Sequence, residues 1–525
     1  MFNLIWRIKL VEFVSSLFRS DELKSKSGSG SEGGHSTKRH HENYSENLVI
    51  WRSLIATLSA HSVNLSIGMC QGFSAVLIPQ LMQPSSHIQI TYHESSWIAS
   101  LGVISNPLGA LMSGTIMEVW GRKTTLQVAA FPFLTGWLLM ACADNLVNLC
   151  IGRFITGVAI GMGSSTYVYV SEISLPAYRG LFASLGPVFV SLGVLFVYYM
   201  GYMLHWHIVC YFCAVSACIS FIVVSFMPET PSWYASKGLV VKSTASLNWL
   251  RNNSAIANVE IADILQSISE KDEDNKSCCQ KLREFIQPTV WKPFFTLCGF
   301  FMLQQGSGIY IILYYAVNFF QKVGSSMDAW KASISMAVMR LVMSVVGSIF
   351  IQNYGRRTLA MISGLGMALS MGACGLYEHY FEGVPADMRL DPLIPFIFIL
   401  LNVCASMLGT LQLPWIMTGE LFPLSVRGFM QGFMSCIAYI LIFITVKIYP
   451  FLSTHLDIAT TMYIFAGSST LITLFAFFVL PETQGKTLLE IERTFQGNNL
   501  PFSSIDQEKG DAKPVKQKNK AELNS

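Results

Sequence analysis

Charge is scarce in this chain: Asp, Glu, Lys and Arg make up 13% of its 525 residues, against roughly 25% in an ordinary soluble protein. With hydrophobic residues at 52%, that is too little to cover the surface of one or more water-soluble domains. What charge there is nearly cancels, to a formal +3, leaving no basic footprint for a nucleic acid. A cleavable secretory signal is missing too. The partly apolar stretch 1–18 is interrupted by Arg7, Lys9 and Glu12, with no small-residue cleavage site after it. It reads as a short interfacial helix or as an ordinary tail. The twelve cysteines follow neither disulfide nor zinc spacing. Ten lie in apolar runs and read as small buried side chains, while Cys278 and Cys279 are adjacent in a charged loop. No nucleophile–base set and no metal-ligand cluster stands out, and no Gly-rich loop ends in Gly-Lys-Ser/Thr. An enzyme and an ATP-driven pump are therefore disfavoured, and no cofactor is expected.

Long apolar runs are what the chain has in abundance. A bilayer crossing needs about 20 apolar residues, and runs of that kind lie near 53–81, 95–117, 125–143, 147–169, 181–203, 207–227, 293–320, 329–352, 359–377, 393–418, 428–447 and 460–480. The fold class expected is an all-α membrane protein of twelve transmembrane helices. The domain plan is a tail (1–52, with a Gly/Ser linker at 25–36), a six-helix bundle (53–227), a polar linker with short amphipathic helices (228–292), a second six-helix bundle (293–480) and a closing tail (481–525). With the N-terminus inside, the inner segments hold 29 of the 35 lysines and arginines, and Lys322 and Arg389 fall in outer loops. By the positive-inside rule both termini are cytoplasmic.

Self-comparison shows an internal repeat. Gly121-Arg122-Lys123 after the second run matches Gly355-Arg356-Arg357 after the eighth. Glu172 with Arg179-Gly180 after the fourth matches Glu420 with Arg427-Gly428 after the tenth. Pro228-Glu229-Thr230 after the sixth matches Pro481-Glu482-Thr483 after the twelfth. The order is the same and the offsets are similar, at 234, 248 and 253 residues. All six motifs fall at inner helix ends, where carboxylates and guanidiniums form charge-assisted bonds with little competition from water. The expected role is a latch that ties the inner ends of the two halves in one state and releases them in the other. The set is Glu118, Arg122, Lys123, Arg153, Glu172, Arg179, Glu229, Arg356, Arg357, Glu420, Arg427 and Glu482. The plainer reading, simple obedience to the positive-inside rule, accounts for the cations but not for the repeated glutamates.

Taken with QQGSG at 304–308, Tyr314-Tyr315, Pro414-Trp415, PETPSW at 228–233 and PETQGK at 481–486, these motifs resemble the sugar porter family of the major facilitator superfamily over roughly residues 60–495. The stretches RGLFASLGPVFVSLGVLFVYYMG and PETPSWYASKG are similar to its facilitated trehalose transporter branch. The resemblance implies two pseudosymmetric six-helix bundles, alternating access around a central site and residence in the plasma membrane. It implies a sugar-like solute as partner, beside the lipid bilayer. It also assigns solute contact to Gln304 and Gln305, outer gating to Tyr314 and Tyr315, and stacking beneath the solute to Trp415.

The sequence departs from the family pattern at several solute positions. Tyr310, Arg340 and Ala438 stand where the family has asparagines, Pro187 replaces a glutamine, and Leu411-Gln412 replaces a Gly-Pro pair. Tyr310 and Arg340 are accordingly counted among the candidate solute contacts. Glu118 and Gln352 replace the aspartates of the two loop motifs, so a weaker latch is expected in the second half. A guanidinium inside a span costs about 2.5–3.5 kcal/mol on insertion scales, so Arg340 is expected either to face the central cavity or to snorkel outward. The first and seventh runs hold no Asp or Glu, which removes the plain route for proton drive and points to facilitated diffusion. A lone His61 reads as a packed neutral side chain. The alternatives are a solute sensor that no longer cycles and a proton-coupled symporter.

Overall fold

In the computed structural model, residues 36–84, 86–175, 178–252, 254–273, 287–323, 328–382, 384, 393–423, 426–484, 486, 491 and 494–495 are described. The end segments 1–35 and 496–525 and the Cys278-Cys279 pair lie outside them. Inside a bilayer, backbone N–H and C=O groups find no water, so an apolar run must satisfy them internally and becomes helical. Hydroxyl residues within the runs obey the same demand by bonding back to their own helix: Ser59 donates to Ile55 O at 2.7 Å, Ser100 to Ser96 O at 2.6 Å and Ser469 to Phe465 O at 2.8 Å.

The first half comprises α1 (Ser36–Leu81), α2 (Tyr92–Ile104), α3 (Asn106–Trp120), α4 (Arg122–Ala141), α5 (Leu146–Met162), α6 (Ser165–Ile173), α7 (Arg179–Met203) and α8 (Trp206–Ser225). Three linker helices follow, α9 (Pro231–Ser236), α10 (Val240–Arg251) and α11 (Ser254–Glu273). The second half comprises α12 (Pro288–Gly306), α13 (Ile309–Tyr314), α14 (Ala316–Val323), α15 (Ala329–Asn353), α16 (Arg356–Tyr380), α17 (Ile394–Leu408), α18 (Leu413–Glu420), α19 (Arg427–His455) and α20 (Ile458–Phe478).

Among the described residues, ten stretches are long and apolar enough to cross a membrane, two of them being the joined pairs α5–α6 and α17–α18. The two other expected crossings are interrupted. One is broken at Ser105 between α2 and α3, the other at Ser307-Gly308 and Tyr315 between α12, α13 and α14. A break at membrane depth is tolerated where it is enclosed by protein, and Ser307, Tyr315 and the break residue Thr410 are all buried. Helix α1 begins at Ser36, well before residue 53, because no Gly or Pro follows Gly34 until Gly68.

The halves meet along three seams: α1 against α13 and α14, α7 against α15, and α19 against α2 and α3. Large apolar side chains such as Leu111, Ile222, Leu369 and Phe478 are exposed on the outside, as a lipid-facing surface requires. The linker helices are anchored on the first half. Arg251, fully buried, grips Glu260 through two nitrogens at 2.7 and 2.8 Å and donates to Ile173 O at 3.1 Å. From α1, Arg52 donates to Trp249 O at 2.8 Å.

Candidate functional site: a charged rim and a central polar seam

The repeated motifs build the same small assembly twice, at one end of each half. In the first half, the Glu229 carboxylate accepts from the backbone N–H groups of Arg122 and Lys123 at 3.0 Å and of Thr230 at 2.8 Å. It thereby caps the first turn of α4, whose N–H groups have no partner inside the helix. In the second half Glu482 does the same for α16, accepting from Arg356 N at 2.8 Å and Arg357 N at 3.2 Å. The motif glycines explain themselves here. A Cβ on Gly121 or Gly355 would overlap the capping carboxylate of Glu229 or Glu482. Gly121 also has φ +105 and ψ 167, a region that is essentially glycine's alone. Burial raises the Glu229 carboxyl above the usual carboxylate range, against the opposing pull of the N–H groups it accepts from.

Beside each cap sits an ion pair. Arg122 meets Glu172 at 3.0 Å and Arg356 meets Glu420 at 3.0 Å. The Thr483 hydroxyl donates to the second oxygen of Glu420 at 2.6 Å, so the Gln352 substitution leaves the second pair as short as the first. Arg357 donates to Phe477 O and Lys123 Nζ to Ser225 O at 2.8 Å. Each of these bonds closes within its own half. The expectation of bonds tying one half to the other is therefore corrected for this conformation: the rim braces each half internally.

Three expected rim residues take no side-chain part in these pairs. Glu118 is exposed, and it is its carbonyl that takes part, accepting from Trp233 Nε1 at 3.0 Å. Arg179 is exposed at the start of α7. Arg153 is not a rim residue at all: its place on α5, near the end of the helix away from the motifs, puts it against α1 instead. Buried at 2% exposure, it donates to Cys70 O at 3.1 Å and to Ser74 Oγ, and lies 5.1 Å from the Phe73 ring centre. The side chain of Arg427 lies outside the described residues.

The second assembly lies where the halves meet. Gln304 and Gln305, at the end of α12, are buried. Gln304 is already engaged: its Nε2 donates to Thr410 O at 2.7 Å and Leu411 O at 3.3 Å, the carbonyls freed by the break between α17 and α18. Gln305 donates weakly to Gln304 Oε1 at 3.4 Å, and its own Oε1 is buried without a partner. Trp415, half-buried on α18, donates to Tyr310 Oη at 3.4 Å and packs edge-on to Phe301 and obliquely to Tyr439. Tyr310, Tyr314 and Tyr315 are all buried. Tyr315 donates to Val446 O at 3.2 Å and its ring lies 5.0 Å from that of Tyr449. Arg340 is 8% exposed and faces inward, so the snorkelling alternative does not hold. Its electrostatic neighbours are the phenols of Tyr198, Tyr310 and Tyr314.

Sequence reasoning missed two residues at the seam. Tyr198 donates to Leu313 O at 2.6 Å and so bonds α7 to the α13 break across the halves. Lys447 donates to Ser96 Oγ at 2.8 Å and stands 3.4 Å from the Trp97 ring centre. As a lone cation in the apolar run of α19, Lys447 could have been singled out; Tyr198 could not. His61 is packed, bonding through Nε2 to Phe182 O at 2.8 Å while the Asn64 amide meets Nδ1 at 2.9 Å. One nitrogen donates and the other accepts, which defines a neutral ring.

Known proteins match this arrangement. The family model described as "Sugar (and other) transporter" matches residues 53–495. A facilitated trehalose transporter of Bombyx mori is 29% identical, over 95% of this chain and 96% of its own length. Another from Apis mellifera ligustica is 30% identical over 86% of this chain and 90% of its own length. Among solved structures, a partially occluded inward-open conformation of the xylose transporter XylE from E. coli superposes with a TM-score of 0.69. It is 18% identical and the match covers 83% of this chain and 99% of that one, a likeness of fold.

Proposed function

Because this chain belongs to the sugar (and other) transporter family, a family of membrane carriers rather than enzymes, we propose that it passes a sugar, trehalose or a hexose, by facilitated diffusion. The trehalose transporters among its relatives favour that solute class. Both termini lie in the cytosol, in keeping with the distribution of Lys and Arg, and the membrane is the plasma membrane, as the resemblance to the family implies. The solute sits at the seam, touched by Gln305, Tyr310 and Trp415, while Gln304 holds the broken α17–α18 helix in shape for it. Tyr314 and Tyr315 close the outer side. The rim pairs Arg122–Glu172 and Arg356–Glu420 keep each half stiff, so that each turns as one body about the seam.

The observation that carries the passive reading is the pairing of Arg153. Its partners in α1 are a carbonyl and a serine hydroxyl, where proton drive would require a group that changes charge. With His61 held neutral by two hydrogen bonds, no titratable switch faces Arg153 from α1. The test is counterflow in liposomes containing the full chain. Radiolabelled trehalose or glucose is expected to exchange without any pH change in a weakly buffered lumen. Solute-driven proton uptake would refute the passive reading, and binding without counterflow would favour a sensor.

A further inference from the structure

Two guanidiniums are buried where the halves meet, Arg153 from the first and Arg340 from the second, and Tyr314 lies in the field of both. Arg153 has its acceptors in α1. Arg340 stands differently: it is 92% buried, and among the described residues none of its nitrogens has an acceptor and no carboxylate is paired with it, whereas only the Nε of Arg153 is unpartnered. Residues 48–81 of α1, all of α5 and α7, and α12 through α15 contain neither Asp nor Glu. The acids on the other seam helices do not supply a carboxylate: Glu94 of α2 is held in the Thr91 cap, Glu118 of α3 is exposed and Glu420 of α18 is paired with Arg356. The phenols around Arg340 carry no charge at neutral pH, and two are occupied: Tyr198 donates to Leu313 O and Tyr310 accepts from Trp415. Lys447, nearer the end of the seam away from the rim, adds a further cation on the same side of the balance.

A buried guanidinium persists when something in its surroundings answers its charge. We propose that the solute answers it: the central site is built for a polyol bearing one carboxylate, a sugar acid, bound by Arg340 through the carboxylate. This rests on the reading of the seam as the solute site. The planar fork of the guanidinium matches a carboxylate with two parallel bonds, and the unpartnered Oε1 of Gln305 accepts from a solute hydroxyl. Transport of such a solute carries its net charge across the membrane.

Binding of D-glucuronate, D-glucose and trehalose to the purified full chain, read by calorimetry, tests this. Glucuronate is expected to bind at least about 10-fold tighter than either neutral sugar. R340Q is expected to lower glucuronate affinity at least about 10-fold and to abolish the preference for glucuronate over glucose, while R340K keeps part of the preference. In liposomes an imposed inside-positive potential is expected to raise glucuronate uptake and leave glucose uptake unchanged. Equal wild-type affinity for glucose and glucuronate would overturn the proposal, and so would an R340Q protein that keeps its anion preference. Acetate competing as well as glucuronate would overturn the sugar part. The wild-type comparison decides the matter even if R340Q fails to fold. Glucuronate preference without counterflow of any solute would strike the transport reading alone; glucose counterflow without that preference would strike the anion inference alone.

Discussion

The two motif glycines offer a quantitative test, because they share one neighbour chemistry and differ in backbone. Gly121→Ala meets two separate penalties. Its backbone at φ +105, ψ 167 is a glycine-only region, costing an L-residue about 1–3 kcal/mol. Its methyl would also displace the Glu229 carboxylate from the first turn of α4, and losing a helix cap costs about 0.5–2 kcal/mol. Together these give about 3 kcal/mol. Gly355→Ala meets only the second, because Gly355 has φ −61 and a side chain there adds no backbone strain; about 1 kcal/mol is expected. The two variants should therefore differ by about 2 kcal/mol. Removing the carboxylate itself with E229A takes away the clash, so the G121A/E229A pair should cost less than the sum of its members, by about 1 kcal/mol. Denaturant titration of the purified protein in mixed micelles reads all four variants and the parent. Equal losses for G121A and G355A, or strict additivity of G121A with E229A, would refute the account of why glycine precedes the basic pair.

Four further outcomes follow from the seam and the rim. Gln304→Leu strands the carbonyls of Thr410 and Leu411 and should cost about 1–3 kcal/mol in the same titration. Gln305→Leu removes an acceptor that has no protein partner, so it should cost much less and instead weaken solute binding measured by calorimetry. Trp415→Ala removes both the bond to Tyr310 and the face beside Phe301, and should raise the half-saturation concentration for counterflow by about 10-fold. Neutralising the rim pairs with E172Q or E420Q should change stability by under about 1 kcal/mol, as the partners are partly exposed. The counterflow rate should fall by about fivefold if that energy acts on the turning step.

The twelve-crossing, all-helical plan was legible because bilayer crossing imposes a length and an apolarity that composition alone records. The repeat was legible because charge at inner helix ends is rare enough to stand out. What the repeated glutamates do was not. Glu229 and Glu482 read as latch charges, yet each is a cap on a helix more than 100 residues away, a relation that exists only after folding. Arg153 was counted with the latch set; its partners, Cys70 O and Ser74, are a carbonyl and a hydroxyl with no sequence signature. Gln304 read as a solute contact because the resemblance assigns it one, whereas its amide is engaged by the break in the neighbouring helix, an engagement that has no sequence signature. Arg340 stood out because a charge advertises itself in a run of apolar residues, but its cost left facing inward and snorkelling outward both open, and only the folded chain shows it buried.

The grip of Arg251 on Glu260 and Ile173 O, with Arg52 on Trp249 O, has a mechanical consequence. The helical platform between the two bundles is cargo of the first bundle, carried along whenever that bundle tilts. A tag or binding protein fixed to α10 would then swing with it and report the tilt as a change of distance to any marker on α16. Such a reporter would follow each stroke of the carrier from outside the membrane without touching the path the solute takes.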